Sequence, residues 1–306
     1  MADFLDKLLS LFGRKQRTAG RDPDATVPLP SLPTARPPEP AMATGPRSAV
    51  KRLSLGVAQD VGKVRTHNED VLLVFTGELL GLEAIPNFGL FVVADGMGGH
   101  SLGERASGLA ARTVGRVVLE RVLPSLLADP LADAERPLLR EVMEEAMEAA
   151  NTAVFAGVPE SGTTLTCALL LGEQVILSHV GDSRAYIITP EEFEQVTRDH
   201  SLVQRLQELG QLSPAEAAVH PQRSVLYRAV GQGEGLEVDI DSRRLAPGAT
   251  LLLCSDGMWG LVPEKQILET VHAAPHPQIA AEALVAAANA AGGPDNITVV
   301  VVQLPI

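Results

Sequence analysis

From Leu53 onward the apolar positions follow two different periods. Residues 55–59, 71–75, 90–94, 164–171, 175–180 and 184–188 form short apolar runs with β-branched residues, as do 251–254 and 297–302. Runs of this kind predict buried strands. Residues 102–123, 138–155 and 278–289 have helical character instead. In the second of these, Val142, Met143, Ala146, Met147 and Ala150 share one face, and its methionines read as core filler. Strands dominate the start and middle, and helices come in long pairs. That order predicts an α+β layered domain rather than a simple alternating α/β fold. The chain shows no internal repeat.

Residues 1–50 read as a separate region, with the folded domain spanning 51–306. Phe4, Leu5, Leu8, Leu9, Leu11 and Phe12 have helical spacing, and Gly13 ends the run. Such a short amphipathic helix is marginal alone, so it either packs on the body or docks elsewhere, for example on a membrane surface. Prolines at 23, 28, 30, 33, 37, 38, 40 and 46 follow, and they predict an extended, disordered spacer. The two parts together can tether the domain.

Several of the predicted strands end on, or begin after, an aspartate beside glycine: Asp95-Gly96, Gly181-Asp182, Asp256-Gly257 and Gly293-Pro294-Asp295. An Asp-Gly pair alone reads as a turn. Four strand-end aspartates plus the Glu69-Asp70 pair outweigh that reading, because clustered carboxylates repel one another unless cations neutralise them. An all-oxygen donor set selects Mg²⁺, Mn²⁺ or Ca²⁺ over Zn²⁺, and no histidine pair has ligand spacing. Glycine at 96 lets the backbone approach an ion and offer its carbonyl. Gly98 and Gly99 allow a sharp strand-to-helix turn. Arg65, four residues before Glu69, suits a phosphate held by a two-pronged hydrogen bond.

The formal net charge of -13 argues against a nucleic-acid partner. Cys167 and Cys254 lie inside strand-like runs and read as structural thiols, which suits a reducing, cytoplasmic location. No apolar run is long enough to cross a bilayer, and the N-terminus lacks the basic-then-apolar order of a signal peptide.

Eight segments in order carry a resemblance: RTHNED at 65–70, VVADGMGGHSLGERAS at 92–107, SGTTLTCALL at 161–170 and HVGDSRAYII at 179–188. TRDHSLVQRL at 197–206, HPQRSVLYRAVG at 220–231, LLLCSDGMWG at 251–260 and GGPDNITVVVV at 292–302 complete the set. From about residue 53 to its end the chain resembles the bacterial branch of the metal-dependent Ser/Thr protein phosphatases (PPM, type 2C). The resemblance implies a central antiparallel β-sandwich flanked by pairs of antiparallel helices, a four-layer αββα arrangement. It implies a dinuclear Mn²⁺ or Mg²⁺ centre with a third, weaker site. Asp95 would bridge both metals and Gly96 would ligate through its carbonyl. Asp256 and Asp295 would hold the first metal, Glu69 would serve the second, and Asp70 would orient that shell. Asp182 would join Asp256 at the third site, Arg65 would bind the substrate phosphate, and Asn296 would orient the Asp295 loop. Residues from about 200 to 230 would form a mobile flap beside the site.

The activity so implied is hydrolysis of phosphoserine and phosphothreonine by a water or hydroxide at the dinuclear centre, opposing a bacterial Ser/Thr kinase acting on shared targets. The absence of a suitably placed Cys or Ser nucleophile agrees with direct attack. A non-catalytic phosphoprotein-binding module would lack one of the acidic ligands, and all are present. A two-metal nuclease is disfavoured by the charge. The chain departs from its bacterial relatives at Ser161, which stands where they carry Met. No histidine takes the place of the proton donor proposed in some members. His100 reads as a surface or capping residue, His179 as a packed, hydrogen-bonded histidine, and Trp259 as core packing near the site. His200 and His220 have no evident role.

Overall fold

The computed structural model describes residues 52–78, 86–98, 101–128 and 137–306. The chain divides into two units after Ala49. The first holds most of the predicted amphipathic segment and Pro-rich spacer, which lie outside the described residues, as do Gly99 and His100.

The second unit is built on two antiparallel sheets. One has the order β1 (Ser54–Asp60), β11 (Ile297–Gln303), β10 (Thr250–Cys254), β7 (Arg184–Ile188) and β8 (Phe193–Gln195). The other has the order β2 (Asp70–Gly77), β3 (Phe88–Met97), β5 (Leu165–Leu171), β6 (Gln174–Val180) and β9 (Asp239–Arg244), with the short β4 (Gly162–Thr163) pairing onto β3. Helices α1 (Ser101–Leu126) and α2 (Leu139–Gly157) cover the second sheet. Helices α6 (Glu264–Ala273) and α7 (Pro277–Ala290) cover the first.

Alternation along the strands generates these layers, because successive side chains face opposite sides of a sheet. Leu90, Val92 and Ala94 of β3 pack on α1 and α2, whereas Phe91 and Val93 enter the space between the sheets. Val299 and Val301 of β11 face α7, and Val300 and Val302 face inward. All of these side chains are buried, each contributing roughly 1.5–3 kcal/mol for a Val, Leu or Phe. Cys167 and Cys254 belong to the two helix-facing cores, Cys167 with its sulfur 3.9 Å from that of Met147.

The antiparallel register also gathers the acids. Asp70 at the start of β2 pairs with Asp95 near the end of β3. Cys254 at the end of β10 pairs with Arg184 at the start of β7 and with Val299 near the start of β11. Asp256, Asp182 and Asp295 therefore lie two residues beyond paired strand ends at one end of the sandwich. The predicted strands and three long helices are all present. Elements not assigned from the sequence are β4, β8, β9 and α6, the short α5 (Asp256–Trp259), and two helices in the 200–230 segment, α3 (Leu202–Glu208) and α4 (Pro214–Ala218).

Candidate active site

Asp95 faces Asp70, Asp256, Asp182 and Asp295 at the acidic end. Burial holds the Asp95 carboxyl well above the ordinary carboxylate range, and the charges of Asp70, Asp256, Asp182 and Asp295 push it further. Asp70 is raised to about 7, first by burial and against the hydroxyl of Thr298, which donates to Oδ2 at 2.7 Å. Asp256 is raised to about 6 by burial and then by Asp295. Burial also raises Asp182 well above its ordinary value, followed by repulsion from Asp256 and Asp199. Four crowded carboxyls, Asp70 and Asp182 buried and Asp95 and Asp256 half-buried, thus resist ionising together, and positive charge would relieve them.

A test of metal fit follows from the same atoms. Asp70 Oδ1 is buried with no hydrogen-bond partner. The donors are all oxygens, which suits Mg²⁺ or Mn²⁺. Among the described residues no three His, Cys, Asp or Glu side chains are placed to hold a metal ion by themselves. Mg²⁺ commonly retains several waters and takes only one or two protein carboxylates, so the two observations are compatible.

Backbone packing sets the loops that carry the acids. The side chain of Asn296 accepts from Glu69 N at 2.8 Å and donates to the carbonyls of Val61 and His67, each at 2.9 Å. It therefore ties the Arg65–Glu69 loop to the Asp295 loop. Gly62 has φ +80, and a Cβ there would lie 2.2 Å from the Asp295 carbonyl oxygen. At Gly96 a Cβ would lie 2.3 Å from the oxygen of Gly103 and 2.7 Å from that of Glu69. Close backbone packing thus requires glycine at this position. Arg65 is half-exposed and donates to Asp295 Oδ2 at 2.7 Å. Asp295 raises its pKa most, with Glu69 and Asp95 adding to the same effect.

A layer of hydroxyls and two histidines underlies the acids. Asp95 N donates to Thr164 Oγ1 at 2.9 Å, and Asp95 O accepts from Thr163 Oγ1 and Thr164 N. Thr164 Oγ1 lies 2.8 Å from Ser183 Oγ, so β3 is linked to the turn bearing Asp182. His179 is packed as expected, bonded to Thr166 Oγ1 at 2.9 Å and to the Arg198 carbonyl at 3.1 Å, and burial lowers it to about 3. His200, given no role from the sequence, has one here. Its Nδ1 accepts from Gly181 N at 3.1 Å, and its own N donates to Gly181 O at 2.7 Å. The expected flap begins at this histidine and is held at its far end as well. Val230 pairs with Thr163, and Asn151 of α2 bonds Gly231 N and the carbonyl of Gly233. Ser161 is buried and donates to the Val158 carbonyl.

The structure therefore brings Arg65, Glu69, Asp70, Asp95, Gly96, Asp182, Asp256 and Asp295 to one end of the sandwich. His179 and His200 stack at 4.9 Å between ring centroids beneath the Asp182 turn. The Gly-Thr-Thr and Asp-His-Ser segments were visible as motifs, but their hydrogen-bonding roles depend on contacts distant in sequence.

Known proteins share this fold. Residues 81–288 match the family model described as protein phosphatase 2C. The chain is 36% identical over 244 residues to the serine/threonine phosphatase stp of Listeria monocytogenes, covering 80% of this chain and 93% of that one. It is 35% identical over 260 residues to the serine/threonine protein phosphatase PstP of Mycobacterium tuberculosis, covering 82% of this chain and 45% of PstP. A crystal structure of the PstP catalytic domain in complex with two manganese ions superposes with a TM-score of 0.67 at 32% identity, over 83% of this chain and 99% of that one.

Proposed function

Because the chain belongs to the protein phosphatase 2C family, we propose that it hydrolyses phosphoserine and phosphothreonine in proteins, using the acidic end of its sandwich. The observation that carries this reading is a set of crowded, mutually repelling carboxyls with a half-exposed arginine at their edge. Asp95, Asp256, Asp295, Glu69 and the Gly96 carbonyl would hold two Mn²⁺ or Mg²⁺ ions, with Asp70 backing them. Asp182 and Asp256 would hold a third, weaker one. When bound, the ions acidify a water and neutralise the phosphoryl charge.

The chain's own groups do the rest. The Arg65 guanidinium turns from Asp295 to the phosphate and orients it by a two-pronged hydrogen bond. Asn296 and Thr164 keep the acid-bearing loops fixed while it does so. A thiol intermediate is not available at this site. Cys167 and Cys254 are buried in the helix-facing cores, and burial pushes the Cys167 thiol up to about 12 and the Cys254 thiol up as well. No cysteine thiolate therefore competes with water as the nucleophile.

Phosphoproteins are the substrates, and a Ser/Thr kinase with its targets is the natural opposing partner. Among the described residues no helix is long and apolar enough to cross a membrane. A cytoplasmic domain tethered through residues 1–50 accords with the sequence. Phosphate release from a phosphothreonine peptide, compared with cleavage of a dinucleotide diester in Mn²⁺, tests the reading. Release from the peptide alone is expected, and preference for the diester would refute it.

A further inference from the structure

Asp182 lies in the short crossing from β6 to β7, and its backbone is gripped on several sides. Gly181 is bonded twice to His200, and Ser183 Oγ meets Thr164 Oγ1. The carbonyl of Asp182 itself accepts from the indole N–H of Trp259 at 2.9 Å. Trp259 closes α5, the four-residue helix that Asp256 opens. One hydrogen bond thus joins the backbone of one acid to the helix that starts with the other.

The indole is fixed in turn. The Arg184 guanidinium lies 3.4 Å from the ring centroid. Asp199 holds that guanidinium by a fork, accepting from Nε at 3.0 and 3.2 Å and from Nη2 at 2.8 Å. The Arg184 and Asp199 side chains are only 17% and 5% exposed, so the stack is shielded from solvent. A planar guanidinium can stack on a ring and bond a carboxylate in one pose, which an ammonium cannot do. α5 has its own anchor in the buried Met258, so the indole N–H is not needed to seat the helix.

We propose that Trp259 is a positioning residue. Its N–H, with the ring clamped by Arg184 and Asp199, sets the Asp182 carboxylate relative to Asp256 and so tunes the weakest cation site. The inference rests on the proposed reading of Asp182 and Asp256 as joint holders of that site.

The full chain, W259F, R184K and D182N are titrated with Mn²⁺ by calorimetry. W259F keeps an aromatic ring under Arg184 and removes the donor together with part of the ring's volume. D182N should lose the weakest class of site. W259F and R184K should keep the tighter sites and weaken that class about 10-fold, the low end for losing a group that orients a ligand. Trp259 is the only tryptophan, so its emission should change as the weakest class fills, and that phase should vanish in D182N. Loss of a site in D182N with unchanged binding in W259F and R184K would overturn the role of Trp259 alone. Unchanged binding in D182N would overturn the reading of Asp182 and this inference with it. Equal weakening of every site in W259F would mark a general structural role and also overturn it. Should W259F fail to fold, R184K and the emission phase carry the same decision.

Discussion

Arg65 donates to Asp295 Oδ2 at 2.7 Å, so the residue assigned to substrate is paired with a residue assigned to metal. The pair is partly exposed, and a pair of that kind is worth only about 0–1 kcal/mol. It therefore yields to a phosphate dianion, which accepts both prongs of the guanidinium. R65A should lower kcat/KM for a phosphothreonine peptide by roughly 10- to 100-fold, the worth of a hydrogen bond to a charged group. R65K should fall between R65A and the parent. Thermal unfolding should barely move in either variant, and a large drop in stability would show that the arginine serves the fold instead.

Without metal, the share of stability linked to the clustered acids should fall as pH rises. The carboxyls of Asp70 and Asp256 are raised to about 7 and about 6, so between pH 4 and 7 the folded state holds more protons than the unfolded one. Stability linked to these groups is full below their unfolded pKa of about 4 and is lost as pH passes the folded values. Urea unfolding in EDTA at a series of pH values measures this. Saturating Mn²⁺ should reverse the slope, because the ion competes with those protons. Buried His179 contributes the opposite slope, so the comparison is with D70N, which should flatten the fall; an unchanged slope in D70N would refute the repulsion among the acids.

Asn296 gives a test of the loop clamp. Its side chain makes three bonds across the Asp295 and Arg65–Glu69 loops, and it is almost fully buried. N296A leaves Glu69 N and two carbonyls without that partner, which should cost about 1–3 kcal/mol and weaken Mn²⁺ binding together. N296D can still accept from Glu69 N but cannot donate to Val61 and His67. It should recover only part of the loss in a urea melt and in a metal titration.

Cys167 and Cys254 should not react with iodoacetamide in the native protein. Both are buried with thiol pKa values pushed upward, so little thiolate exists near neutrality. Mass spectrometry should find both alkylated only after denaturation. Rapid inactivation of the folded protein by the reagent would reopen a thiol mechanism.

The central strands and the acids were legible because both follow local rules. A run such as Val299–Val302 is apolar on both faces since a helix layer covers one face and the second sheet the other. The acids stood out because each breaks such a run at its end. β9 escaped notice because Asp239–Arg244 is an edge strand rich in charge, held by its register with β6 rather than by its own pattern. α6 escaped because only Ile267 of its ten residues is buried, which leaves a thin apolar stripe. His200 could not be read from its neighbours in sequence, since its bonds run to Gly181, Asp239 and Arg228. A Cβ at Gly96 would meet the backbone of Gly103 and Glu69, a constraint that only the fold brings near.

Phosphate release from a phosphothreonine peptide by the parent and by D95N, each titrated with Mn²⁺, tests the acidic centre most directly. Asn preserves the shape of Asp95 and removes the charge that Asp256, Asp70 and Asp182 oppose. The parent should be inactive in EDTA and saturate with Mn²⁺. D95N should stay folded, bind Mn²⁺ more weakly and lose more than about 100-fold in kcat, beyond the cost of losing an outer partner of a ligand. Turnover by D95N at the parent's rate, or turnover by the parent in EDTA, would contradict the account.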